Sequence, residues 1–94
     1  MENNTATHVY ITHSAEKEIK KIPTHIVLKL RHWIKSVEEN GIDRVQLVKS
    51  WRDEQLKGNR LGQRSIRLNQ AYRAIYIVGS SIKITIIEVN KHDY

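Results

Sequence analysis

The chain has 94 residues, no cysteine, and 16 Lys plus Arg against 10 Asp plus Glu, which gives a formal net charge of +6. Its length suits one domain, and with 28% charged residues it contains no apolar run near the ~18 residues that a membrane-spanning helix needs. The absence of cysteine excludes disulfides and thiolate metal sites, and it fits a reducing compartment. The polar segment 1–7 lacks the apolar region of a secretory signal. We therefore expect a single cytoplasmic domain over residues 1–94 with no membrane association.

The N-terminal half predicts one strand followed by two helices. Residues 8–12 alternate in polarity and include β-branched and aromatic side chains, as a strand does. From Ser14, apolar residues recur at helical spacing until Pro23 ends the run. A longer helix follows from Thr24, and its apolar stripe ends at Asn40-Gly41. The two helices should form a hairpin that covers one face of a sheet.

The C-terminal half predicts three consecutive strands. Residues 43–51 fit either a further helical turn or an irregular arm, and residues 57–62 form a basic turn. Strand candidates then cover 64–69, 72–78 and 82–90, and their short connections make them antiparallel neighbours. The predicted fold is therefore α+β in the order β-α-α-β-β-β, with a small antiparallel sheet whose second face is free.

Period-2 alternation assigns side chains to the two faces of these strands. Ile66 and Leu68 should point together to the core, which places Arg67 on the free face. In the last strand, Ile86-Ile87 breaks the alternation, and this indicates either a largely buried central strand or a bulge.

Positive charge is concentrated in one segment of the chain. Residues 49–73 contain seven of the 16 basic residues and two acidic ones, so five of the six net charges lie in about a quarter of the chain. Five of those seven cations are arginines, whose planar guanidinium binds two phosphate oxygens at once. A basic face can serve solubility alone, but the arginine content favours a phosphate-binding surface.

Several catalytic motifs are missing from the sequence. It has no Walker loop, no GxGxxG, no HExxH and no CxxC, so we expect neither nucleotide hydrolysis nor zinc proteolysis. His25 and His32 are seven residues apart on one helix face, but no third ligand lies near them in the sequence. The sequence therefore predicts no metal site and no cofactor.

The C-terminal residues 90–94 add ionisable groups directly after an apolar strand. Together with the arginine-rich strands they suit phosphodiester cleavage without a metal, in which a ribose 2′-hydroxyl attacks the phosphorus. That reaction needs a base for the hydroxyl, cations for the pentacovalent phosphate and an acid for the leaving 5′-oxygen. The candidates are Glu54 or His92 as base, Arg67 and Arg73 as the anion clamp, and His92 or Tyr94 as acid.

The C-terminal half resembles the RelE/ParE superfamily of bacterial toxins from type II toxin–antitoxin modules, and within it the messenger-RNA interferases related to HigB and YoeB. The segments that carry the resemblance are 53–58, 62–68, 72–76 and 89–94. The N-terminal strand and helical hairpin match only in pattern. The resemblance implies a RelE-like fold and a metal-independent endoribonuclease.

The resemblance also implies roles for single residues. It implies Glu54 as base, Arg73 as the phosphate-binding arginine and His92 as the third catalytic group, with Arg67 at a further basic position and Tyr94 as the terminal aromatic. Asp93 departs from the pattern because it separates His92 from Tyr94, and an alternative role for it is to orient His92. Nucleic-acid contacts are expected from four further basic residues, Lys57, Arg60, Arg64 and Lys91.

The partners implied by the resemblance are messenger RNA in the ribosomal A site and a cognate antitoxin, which for HigB-like toxins is often a helix-turn-helix protein. ParE-type members inhibit DNA gyrase instead, and a shared fold does not separate the two activities. A third alternative is a non-catalytic basic RNA-binding domain. The joint occurrence of Glu54, Arg73 and His92 favours the nuclease.

Overall fold

The computed structural model of the chain describes residues 6–91. Its five strands are His8–Ile11 (β1), Glu54–Gln55 (β2), Gln63–Arg67 (β3), Tyr72–Ser80 (β4) and Lys83–Lys91 (β5). Its three α-helices are His13–Ile19 (α1), Thr24–Asn40 (α2) and Ile42–Val45 (α3), and two 3-10 turns cover Lys49–Trp51 and Gly58–Arg60. The segment 43–51, for which the sequence left two alternatives, is therefore mostly helical.

The strands form one sheet in the order β1-β5-β4-β3-β2. As predicted, β3, β4 and β5 are antiparallel neighbours, and the short β2 adds a further antiparallel pair beside β3. The first strand differs from the prediction of a purely antiparallel sheet, because β1 pairs with β5 in parallel and places Val9 opposite Ile84. The antiparallel meander leaves the outer edge of β5 open, and β1 fills it. The α+β fold is confirmed, with a mixed sheet.

One face of the sheet packs against the helices. The buried residues of α2 recur at helical spacing and comprise Ile26, Leu30, Trp33 and Val37. The Trp33 ring lies 5.0 Å from the Tyr76 ring, centroid to centroid, and joins α2 to the middle of β4. Ile66 and Leu68 are buried in the same cluster, as the alternation predicted. None of the helices within residues 6–91 has the length and apolarity to cross a membrane.

A bulge in β5 sets which of its side chains face away from the helices. Ile75 lies opposite Glu88, whereas the next residue, Tyr76, lies opposite Ile86, so Ile87 is the extra residue. Of the two alternatives that the broken alternation left open, the register shows the bulge. It turns Glu88 and Asn90 to the side of the sheet away from the helices, which we call the outer face.

Candidate active site

A cavity of about 300 Å³ lies beside β3 where β2 ends, and three predicted site residues line it. Its walls include Arg52, Glu54, Ser65, Arg67, Tyr72 and Arg73. The structure thus brings Glu54, Arg67 and Arg73 together although they come from three different strands.

Arg67 and Arg73 are directly opposite each other on the antiparallel strands β3 and β4, and we call them the arginine pair. Like charges in opposite positions of a sheet destabilise it. The Nε of Arg73 is also buried and has no hydrogen-bond partner within residues 6–91. A buried donor without an acceptor is costly. A bound oxyanion would relieve the charge repulsion, so the pair has the chemistry of an anion site.

Glu54 stands at the edge of the sheet beside this pair. In the register it lies opposite Ser65, which is two residues from Arg67 on the same face of β3. Residues two apart on a strand are separated by about 7 Å. Glu54 is exposed whereas Ser65 is only 5% exposed, so the carboxylate is accessible from the cavity while the serine forms part of its wall. A carboxylate that lines the same cavity as two guanidinium groups can accept a proton from a hydroxyl bound there.

A hydrogen-bond network on the core side holds the segment before Glu54 in place. The side chain of Asp53 is 1% exposed and accepts hydrogen bonds from Arg64 Nε at 2.7 Å and from the Tyr76 hydroxyl at 2.5 Å. The Tyr76 oxygen accepts in turn from Gln46 Nε2 at 3.0 Å. Burial and the bond to Asp53 raise the pKa of Tyr76, which keeps its hydroxyl protonated as a donor. Because Asp53 points to the core side, the next residue, Glu54, points to the cavity.

Arg52 is a cavity residue that the sequence-based site did not include. Its φ of 47° places it in the left-handed region, which is unfavourable for residues other than glycine, asparagine and aspartate. It follows the buried Trp51 and precedes the anchored Asp53, so the backbone turns sharply between two fixed residues. Its position inside the basic segment, next to Asp53-Glu54, is the sequence signal that would have identified it. The left-handed turn brings a third arginine to the cavity.

The four residues predicted to contact nucleic acid are not gathered at the cavity. Arg64 is on the core side in its ion pair with Asp53. Arg60 extends over the outer face and donates to Gln63 Oε1 at 2.6 Å and to Glu88 Oε2 at 2.5 Å. Lys57 is exposed in the loop after β2, and Lys91 is exposed at the end of β5.

The ion pair between Arg60 and Glu88 covers part of the outer face. Burial would raise the pKa of Glu88, but hydrogen bonds from Arg60 and Asn90 and the charges of Arg60 and Arg73 outweigh it and lower that pKa. Ile75, opposite Glu88 in the register, is fully buried. The outer face is therefore free only in part, and the cavity beside the arginine pair lies outside the part that this ion pair covers.

Two of the five predicted catalytic residues, His92 and Tyr94, lie outside the described residues, as does Asp93. The last described residue, Lys91, lies opposite the cavity residue Tyr72. Within residues 6–91, no three His, Asp or Glu side chains are placed to hold a metal ion.

Comparisons with family models and with curated protein sequences give no match. Solved structures do match. A YoeB/ParE toxin from Agrobacterium tumefaciens has 21% identity and a TM-score of 0.72, and the alignment covers 93% of this chain and 100% of that one. YafQ from E. coli has 14% identity and a TM-score of 0.75, with 92% and 93% of the two chains covered. A chain of the heterotetrameric YoeB–YefM toxin–antitoxin complex from Staphylococcus aureus has 25% identity and a TM-score of 0.69, with 94% and 98% covered.

Proposed function

Because the chain has the fold of the RelE/ParE superfamily toxins, as its sequence indicated, we propose that it is the toxin of a type II toxin–antitoxin module and cleaves messenger RNA on the ribosome. The observation that carries the proposal is the arginine pair in one cavity with Glu54, together with the Nε of Arg73, which has no acceptor within residues 6–91. These groups match the base and the anion clamp that cleavage by a 2′-hydroxyl needs.

In the proposed reaction, Glu54 removes the proton of a ribose 2′-hydroxyl, and the oxygen attacks the adjacent phosphorus. The arginine pair stabilises the negative charge that develops on the phosphate oxygens in the transition state. His92 donates a proton to the leaving 5′-oxygen, and the alternative assigns it the role of base in place of Glu54. Tyr94 is proposed to contact the substrate beside it. The products are an RNA with a 2′,3′-cyclic phosphate and an RNA with a 5′-hydroxyl.

The proposed substrate is messenger RNA in the ribosomal A site. Because the ribosome holds the RNA in place, a small toxin needs to supply only the reacting groups. The exposed residues Lys57 and Lys91 are proposed to contact phosphates beside the cleaved one. Arg60 and Arg64, which are held in ion pairs, are proposed to add further positive charge to the RNA-binding surface. The proposed protein partner is a cognate antitoxin that places acidic residues at the cavity, as a helix-turn-helix protein if the module is HigB-like. The YoeB–YefM complex is a solved case of a similar toxin with its antitoxin.

The proposal is tested by mapping messenger-RNA 5′ ends on translating ribosomes with the wild-type chain, His92→Ala and His25→Ala. His25 is an exposed histidine on α2 and serves as the matched control. We expect new 5′ ends with the wild type and with His25→Ala, and none above background with His92→Ala. Equal cleavage by all three chains would remove His92 from the mechanism. Growth arrest with gyrase–DNA breaks and without RNA cleavage would favour the ParE-type activity, and RNA binding alone would favour a non-catalytic domain.

A further inference from the structure

A carboxylate from α1 closes the edge of β5 beyond the end of β1. The strand β1 pairs with β5 only as far as Ile86, so among residues 6–91 no strand pairs with the later residues of β5 on that side. Glu18 fills the gap, because its Oε1 accepts a hydrogen bond from the backbone N–H of Val89 at 2.8 Å. Its Oε2 also accepts from the Asn90 side-chain nitrogen at 3.4 Å.

The same contacts fix the side chain of Asn90 on the outer face. Its Nδ2 donates to Glu88 Oε1 at 3.1 Å as well as to Glu18, and both carboxylates require the amide nitrogen rather than the oxygen. In the register, Asn90 lies opposite Arg73, which lies opposite Arg67. Arg67, Arg73 and Asn90 therefore lie side by side on β3, β4 and β5, and Glu18 holds the last of them.

We propose that Glu18 is a positioning residue for the candidate active site. It fixes the end of β5 at the position opposite Arg73 and so helps to hold the strand that flanks the arginine pair. A strand end without such a contact frays, and displacing a catalytic group by about 1 Å can lower a rate by as much as about 100-fold. The inference rests on the proposed function for its catalytic readout, but not for its structural one.

Glu38 provides a matched control within the same chain. Its Oε2 accepts from the backbone N–H of Val9 at 3.2 Å, so it closes the edge of β1 with the same kind of bond. The strand β1 contributes no residue to the walls of the cavity. Loss of Glu38 thus reports the structural cost of removing such a bond, without displacement of the site.

The experiment compares wild type, Glu18→Ala, Glu18→Gln and Glu38→Ala for single-turnover cleavage of messenger RNA in programmed ribosomes. We expect Glu18→Ala to lower the saturating single-turnover rate constant by about tenfold or more and to leave the half-saturating concentration unchanged, since it displaces reacting groups rather than the bound RNA. Glu18→Gln keeps one acceptor oxygen for the Val89 N–H but presents an amide nitrogen to Asn90, so its rate should lie between those of Glu18→Ala and the wild type. Glu38→Ala should cleave at the wild-type rate.

Side-chain NMR signals provide a readout that is independent of cleavage. In Glu18→Ala, the Arg73 Nε–H and Asn90 amide signals should shift and the Val89 N–H should exchange faster, whereas Glu38→Ala should change only the exchange of Val9. Unchanged Arg73 and Asn90 signals in Glu18→Ala would overturn the inference whether or not the chain cleaves RNA. A wild-type rate in Glu18→Ala would overturn it as well. Absence of cleavage by the wild type, with these signals shifted, would count against the proposed function alone.

Discussion

Arg67 and Arg73 face each other across the β3–β4 ladder, and the Nε of Arg73 is buried without an acceptor within residues 6–91. Like charges directly opposite each other in a sheet are destabilising. The folded chain therefore keeps an unfavourable arrangement that a bound oxyanion would relieve. Such a site is selective for negative charge before any substrate is present.

Inorganic phosphate should raise the melting temperature of the wild-type chain and have little effect on Arg73→Gln. A ligand that binds only the folded state stabilises it by about 2.7 kcal/mol at 100 times its Kd. Differential scanning fluorimetry over a phosphate series at constant ionic strength measures the shift. Arg31→Gln, at an exposed position on α2, is the control for general screening. Identical shifts in wild type and Arg73→Gln would show that the arginine pair does not bind the anion.

Asp53→Asn should lower both stability and cleavage. The buried carboxylate accepts from Arg64 and Tyr76, and a buried polar group that loses its partner costs about 1–3 kcal/mol. Because Asp53 anchors the chain immediately before Glu54, the cavity should lose its base from the productive position. Urea unfolding and the cleavage rate are the two measurements, with the exposed Asp43→Asn as control. If Asp53→Asn cleaved RNA at the wild-type rate at a temperature where it is fully folded, the result would contradict the positioning of Glu54 by this network.

A comparison of Arg52→Gly with Arg52→Ala should distinguish the effect of backbone strain on stability from the effect of the lost charge on RNA binding. Both variants remove the guanidinium from the cavity and should weaken RNA binding equally, as measured by fluorescence anisotropy. Glycine adopts the left-handed conformation at φ 47° without the penalty of about 1 kcal/mol or more that alanine pays. We therefore expect Arg52→Gly to be the more stable of the two in urea unfolding. Equal stability would show that the left-handed turn carries no strain.

As the pH falls below 4.5, the free energy of unfolding should decrease more in the wild-type chain than in Glu88→Gln. The pKa of Glu88 is lowered from its ordinary value of 4.5, so between the folded pKa and 4.5 the unfolded state binds more protons. The stability from this group is present above pH 4.5 and is lost as the pH falls through the folded pKa. Urea unfolding from pH 6 to pH 3, buffered at intervals of ~0.5, should give a smaller slope for Glu88→Gln than for the wild type. The exposed Glu39→Gln should keep the wild-type slope.

Local patterns in the sequence predicted much of the fold and part of the cavity. Alternation in β3 separated Ile66 from Arg67, and the Ile86-Ile87 pair indicated the bulge, because both depend only on neighbouring residues. The parallel pairing of β1 with β5 depends instead on which edge the meander leaves open, and no local pattern records that.

Charge counting was less informative about single arginines. It treats Arg64 and Arg67 alike, although the first bonds to Asp53 on the core side and the second lines the cavity. The acceptor for Arg64 comes from 11 residues earlier in the chain, and the one for Arg60 from 28 residues later. These partners are defined only once the strand register is known. The same holds for Glu18, whose partner Val89 is 71 residues away.

The central claim is that Glu54 and the arginine pair direct attack by a ribose 2′-hydroxyl. The most direct test is the chemistry of the RNA ends after reaction on programmed ribosomes, with messenger RNA that carries a ribose or a 2′-deoxyribose at the cleaved position. The account predicts a 2′,3′-cyclic phosphate and a 5′-hydroxyl from the ribose substrate, no cleavage of the deoxy substrate, and loss of the reaction in Glu54→Gln and Arg73→Gln. Cleavage of the deoxy substrate, or a full rate in Arg73→Gln, would contradict it.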